Sequence, residues 1–203
     1  MQLYSYVVAR DYGFAPNPFH GVCSLATCKP AIRKAASDGD WIFGTGSAKD
    51  NLSGHLIYAM QVDEIVEFDN YWSDPRFSNK RPNLKNSKKW AFGDNIYHSV
   101  PGGGWHQERS HHTHPDGTPN RGNIQNDTGT TTQVLLGRKY VYWGEQAPEI
   151  PAYLRNWSGQ DLCARRGHKC HFPAPMIEAA LAWVSDLGQW GRVGRPVDWK
   201  RTP

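Results

Sequence analysis

Aromatic and β-branched residues fill residues 3–9 (LYSYVVA), the signature of a strand. The following DYGFAPNPFHG breaks regular structure with proline and glycine. Thr27 is placed to cap a helix running from Cys28 to about residue 37, with Pro30 tolerated in its first turn and Gly39 at its end. In that helix Ile32, Ala35 and Ala36 face the core, with Arg33 and Lys34 nearer solvent. DWIFGTGS (residues 40–47) reads as a strand, and residues 55–67 as one long strand or two in succession. A short element is expected at residues 95–98, and a hairpin of residues 132–136 and 139–143 across Gly137 and Arg138. Residues 152–157 form a short helix. Pro175 opens a longer one at residues 176–187, where Ile177, Ala180, Leu181 and Val184 follow helical spacing until Gly188 stops it. Strands interrupted by helices, without regular βαβ alternation, predict an α+β domain over residues 1–190, built on a strongly curved mixed sheet, with an extended tail at 191–203.

Residues 98–127 (HSVPGGGWHQERSHHTHPDGTPNRGNIQND) depart from this pattern. They hold five of the nine histidines, among Gly, Pro, Asn, Asp and Ser, and have no apolar periodicity for a helix or a half-buried strand. A loop this long inside a compact domain is typically functional or disordered, which makes it the expected centre of function. Three uses compete with a merely solvated loop. Some of His106, His111, His112, His114 and Asp116 could hold a metal, although no established ligand spacing is met. Histidine could act as a general acid or base near neutral pH. Its donors could also grip a phosphate or a base edge.

A net charge of +4 on 203 residues makes any basic character local. The densest run, Arg76, Lys80, Arg81, Lys85, Lys88 and Lys89, carries six cations in 14 residues with no acid, as suits a phosphate backbone or a solvated face. No apolar run approaches the ~20 residues needed to span a bilayer, and the first residues lack the pattern of a secretory signal, so the expected compartment is the cytoplasm, with no membrane partner. The four cysteines are then expected to be reduced. Four residues lie between Cys23 and Cys28 and six between Cys163 and Cys170, so the tight spacing of a zinc knuckle is missing and buried free thiols are the simpler reading.

The order of helix, GDW with its strand, polar turn and GHLIYAMQVDEIVEFDNYWSDPRF resembles the PUA-like superfamily, including EVE and ASCH domains, over residues 1–77. That resemblance implies a partly closed β-barrel with peripheral helices. YVVARDYGFAPNPF, GVCSLATCKPAIRKAASDGDWIFGTGS, GDNIYH and DGTPNRGN resemble more closely, and along most of the chain, a phage and bacterial family, the second nucleotide-modification-associated domain. It implies a DNA-modification context and carries no catalytic residue over.

Several motifs are absent. There is no Gly-x-Ser-x-Gly elbow, no Cys-x-x-Cys, no Walker or dinucleotide loop and no zinc-deaminase signature. No cofactor and no metal are called for. The expected function is recognition of a nucleic acid or nucleotide, with a modified base as ligand. The alternative is an enzyme that makes, edits or processes such a base. A base-modifying enzyme is a further candidate partner, and the oligomeric state is left open. The expected ligand-binding residues are Phe14, Asn17 and Phe19 in GFAPNPF, Gly44 and Gly46 after the strand, and Trp105, Gln107, Ser110, Asn120 and Asn123 in the polar loop. Phe14 and Phe19 would sandwich a base, and the basic run would take the backbone. In the enzyme reading His112, His114 and Asp127 are catalytic. Phe14, Asn17 and Phe19 are expected to converge with His112, His114, Asn120 and Asp127.

Overall fold

The computed structural model describes residues 1–201. In chain order its strands are β1 (Leu3–Val7), β2 (Cys23–Leu25), β3 (Trp41–Thr45), β4 (Leu56–Gln61), β5 (Glu64–Glu67), β6 (Tyr97–Ser99), β7 (Trp105–Gln107), β8 (Gln133–Gly137), β9 (Tyr140–Tyr142), β10 (His168–Lys169) and β11 (Gly191–Arg192). The α-helices are α1 (Pro30–Ala35), α2 (Phe68–Ser73), α3 (Lys88–Ala91), α4 (Arg121–Thr128), α5 (Ala152–Arg155) and α6 (Ala174–Asp186). The chain forms two compact units. One comprises Met1–Asp11, Ala36–Asp63 and the chain from Gly137 onward, and the other Tyr12–Ala35 and Glu64–Leu136.

The first unit is a six-stranded mixed sheet in the order β10-β1-β3-β4-β9-β11. The strands expected within residues 3–9 and 40–47, and the first part of 55–67, share this sheet, with β1 parallel to β3 and β3 antiparallel to β4. Aromatic and aliphatic side chains bury every residue of β3, as a central strand requires. The amphipathic α6 lays Met176, Ile177, Ala180 and Val184 on Leu3, Trp41, Phe43, Ala59 and Val141 of the sheet. Each such large side chain contributes about 1.5–3 kcal/mol when fully buried. The order runs from β10 to β11 without returning, so the sheet is open and the barrel expected from the PUA-like resemblance is not closed. The expected hairpin across Gly137 and Arg138 is also corrected. β8 pairs with β5 and β9 with β4, so neighbouring runs of apolar residues serve different sheets. Gly44 and Gly46 are close-packed positions. A Cβ on Gly44 would lie 2.2 Å from the Tyr58 ring, and one on Gly46 2.3 Å from the Leu52 carbonyl.

The second unit carries a three-stranded sheet, β2-β8-β5, and a two-stranded ribbon, β6-β7. Its centre is polar. Lys80 is buried, and its ammonium donates to the Asn17 carbonyl and side-chain oxygen (both 2.9 Å), to the Val22 carbonyl (2.7 Å) and to Ser24 Oγ (3.1 Å). Ser24 Oγ in turn donates to Asp94 (2.6 Å), as does the Tyr71 hydroxyl (2.9 Å). Burial pulls Lys80 down to about 8 and pushes the Asp94 carboxyl up. The network anchors the GFAPNPF segment, whose Ala15–Pro16 bond is cis.

The polar stretch at residues 98–127 is not the unbroken loop that its composition predicts. It contributes residues to the ribbon, then forms α4 at its end. Asn120 caps α4 by accepting from the Asn123 amide (3.2 Å), so hydrogen bonds replace the missing apolar stripe.

Candidate functional site

Cys28 sits where β2 leads into α1. Both it and Lys29 have left-handed backbone conformations, with φ of 59° and 42°. Such angles cost about 1–3 kcal/mol each in non-glycine residues and cluster at functional sites. The turn is held from two sides. Cys28 N donates to Asp127 Oδ1 (2.8 Å), and the Cys28 carbonyl accepts from Arg33 Nε (2.9 Å). Arg33 also donates to the carbonyls of Gln133 (2.8 Å) and Asp127. It is fully buried, which corrects its expected place near solvent. Three carbonyls converge from separate segments, and a guanidinium has the donors to satisfy them all.

His112 stands on a tight turn in which Ser110 Oγ accepts from the His112 amide (3.3 Å) and Thr113 Oγ1 donates to the Ser110 carbonyl (2.8 Å). Asn123 and Gln107 donate to its carbonyl (2.8 and 3.3 Å), and the Phe14 ring packs on its imidazole at 4.6 Å. Its two nitrogens face different partners. Nδ1 lies 2.8 Å from Asp127 Oδ2, and Nε2 lies 3.7 Å from Cys28 Sγ. An ionised carboxylate only accepts, so Nδ1 carries the proton and Nε2 addresses the sulfur. Asp127, on α4, is fully buried and accepts further from Tyr97 Oη (2.9 Å) and Asn126 Nδ2 (3.0 Å). The result is a Cys28–His112–Asp127 relay drawn from three segments of the chain.

Burial alone would lower His112, but the hydrogen bonds to Asp127 and Cys28 outweigh it and hold the imidazole up at about 9. Burial likewise opposes ionisation of Asp127, and the His112 contact overrides it, so the carboxyl is held below its ordinary value. Burial and the Asp127 charge push the Tyr97 phenol up, which keeps it a donor.

Stability follows from these shifts. His112 is raised above its unfolded value of ~6.5, so its contribution is complete below that pH and fades as pH rises through about 9. The Asp127 contribution is present above the unfolded carboxylate value of ~3.9 and fades as pH falls through the lower folded one. The stability advantage of the wild type over His112→Gln should therefore shrink by up to about 3 kcal/mol between pH 6.5 and 9. Urea unfolding of both proteins across this range checks it, and a constant difference would contradict the paired state.

Of the residues expected from sequence, His112, Asp127 and Phe14 meet here. Gln107 and Asn123 support the His112 turn from behind, Ser110 shapes it, and Asn120 caps α4. His114 is exposed, and the hydrogen bonds of the relay do not include it. Asn17 and Phe19 do not line the site. Asn17 is fully buried and donates to the Phe92 carbonyl (3.0 Å), and Phe19 is 3% exposed. Phe14 is equally buried, so the two rings cannot sandwich a base. Trp105 packs edge-on against Phe68. Beside His112, His111 lies 4.4 Å from the Tyr12 ring, which stacks on Phe92 at 5.2 Å.

The basic run does not present six free cations. Lys80 is spent inside the unit, which corrects its place among phosphate-binding residues. Arg76 pairs with Glu64 (2.7 Å) and Asp74 (2.6 Å). Arg81 stacks on Trp72 at 3.9 Å and donates to the Trp72 carbonyl. Lys89 lies 5.7 Å from the Trp90 ring. A cleft of 600 Å³ is lined by Arg81, Lys85, Trp90, Glu108 and Arg109 among others. All four cysteines are unpaired, with Cys23 and Cys163 buried and Cys28 and Cys170 half-buried. No helix among the described residues is long and apolar enough to cross a membrane.

Sequence reasoning missed Cys28, Tyr97 and Arg33. The available signal for Cys28 was its place in Thr-Cys-Lys-Pro at the entry to a helix, a setting where reactive thiols occur.

The chain matches, over residues 1–203, the family model described as nucleotide modification associated domain 2, and it belongs to that family. No curated protein and no solved structure matches it.

Proposed function

We propose that this member of the family is a thiol-dependent enzyme that transfers or hydrolyses an acyl or amide group on a modified nucleotide or nucleic acid. The observation that carries the reading is the Nε2 of His112 facing the Cys28 sulfur at 3.7 Å while Nδ1 is bound to a buried carboxylate. A nucleophile next to a base, with the base oriented by a third group, is the general arrangement for covalent catalysis.

The roles follow from the geometry. The reacting form is the pair in which the Cys28 proton already rests on His112, the charged imidazolium that its raised pKa favours. The sulfur attacks the carbonyl carbon of the substrate. His112 then returns the proton to the departing nitrogen or oxygen, leaving a thioester on Cys28. Neutral His112 next deprotonates water or an acceptor nucleophile, which attacks the thioester, and the thiol is released. Asp127 keeps the imidazole in the required tautomer and stabilises its charged form. Tyr97 and Asn126 keep Asp127 in place.

Nucleotide context comes from the family, and the cleft bearing Arg81, Lys85 and Arg109 suits a phosphate. Recognition is thus part of substrate binding rather than the whole function. In the test, nucleosides from cells expressing the wild type and Cys28→Ala are compared by mass spectrometry. A mass difference of an acyl or amide group that requires Cys28 is expected. Identical nucleosides, or a change that persists in Cys28→Ala, would overturn the reading.

A further inference from the structure

The β6–β7 ribbon carries a second group of chemistry-bearing side chains, which the relay does not use. His98 and His106 are direct cross-strand partners, and their rings stack at 4.8 Å. Glu108 follows His106 by two positions, so in extended backbone it emerges on the same face. Its Oε1 lies 3.6 Å from His98 Nε2 and 3.4 Å from His106 Nε2. All three donor atoms fall within 4.8 Å of one another.

We propose that His98, His106 and Glu108 bind a divalent transition-metal ion of the zinc class. Zinc takes nitrogen and carboxylate oxygen at about 2.0–2.2 Å in a tetrahedron, which puts neighbouring donors about 3.3–3.5 Å apart. The two separations from Glu108 fit that edge. An octahedral ion such as Mg²⁺ at about 2.1 Å would need edges nearer 3.0 Å and prefers oxygen donors.

The surroundings also prepare His98. Its Nδ1 lies 3.2 Å from the Ser99 carbonyl. A carbonyl only accepts, so the proton sits on Nδ1 and the Nε2 lone pair is left for an ion. The Trp72 ring stacks on the same imidazole at 4.6 Å and fixes its plane. Three protein donors leave a fourth position for water or for an anionic group. Glu108 also lines the basic cleft, so the ion borders it.

Zinc chloride titrated calorimetrically into the full chain tests this. One ion per chain is expected. Replacing His98 or His106 by Ala, or Glu108 by Gln, should each weaken binding by at least about tenfold. Cys28→Ser should bind normally, which separates this site from the relay, and Co²⁺ should give visible bands without sulfur charge transfer. The His106 side chain is 48% exposed, so His106→Ala should keep the wild-type circular dichroism. Absence of binding, binding that survives both histidine replacements, or binding lost in Cys28→Ser would overturn the assignment.

Discussion

Cys28→Ala and His112→Gln should each slow turnover by about 10³-fold or more, and the double variant should be no slower than the worse single one. The two side chains act as one unit, since a thiol without its base and a base without its thiol each lose the same covalent step. Additive losses in the nucleoside assay would mean that the residues act separately. The backbone adds a second expectation. Cys28 is left-handed, a conformation that glycine adopts without strain. Cys28→Gly should therefore fold at no net cost in that torsion while losing all activity. Retention of a side chain in an unfavourable conformation is then explained by the thiol's use, not by stability.

Arg33→Met should lower unfolding free energy by about 3–5 kcal/mol, the scale for removing one member of a buried charged network. The change strips the donors from the carbonyls of Cys28, Asp127 and Gln133 and removes a positive charge beside the Asp127 carboxylate. Each abandoned buried acceptor costs about 1–3 kcal/mol unless it relaxes or admits water. Equilibrium denaturation measures the loss. A loss under about 1 kcal/mol, in the range of a surface substitution, would show that the clamp is dispensable. The same variant should also reduce the reactivity of Cys28, because Arg33 fixes the turn that carries it.

How much of this was legible depends on the range of the interaction. Strands β1, β3 and β4 of the large sheet announce themselves through β-branched and aromatic residues, and α6 through its apolar spacing, whereas the two-residue edge strands β10 and β11 leave no such pattern. Strand pairing was less legible, because residues 132–143 offer two adjacent strands and a turn while their true partners are β5 and β4. Arg33 was misplaced because helix periodicity ranks a guanidinium as a surface group, and only the folded chain reveals the carbonyls that need it. His112 and Asp127 stood out through the composition of their segment. Cys28 did not, since its base lies 84 residues away and its nearer neighbour, Cys23, invites a pairing or metal argument instead. Phe14 and Phe19 misled in the opposite sense. Aromatic residues in a proline-rich loop could stack a ligand or fill a core, and here both are buried.

The most direct test of the relay is timed alkylation with iodoacetamide, read out cysteine by cysteine by peptide mass spectrometry. Cys28 and Cys170 are both half-buried and Cys23 and Cys163 are buried, so the protein carries its own controls. The relay predicts that at neutral pH Cys28 is modified well before Cys170, and that this advantage disappears in His112→Gln. Equal rates at Cys28 and Cys170, or an advantage of Cys28 that persists without His112, would contradict it.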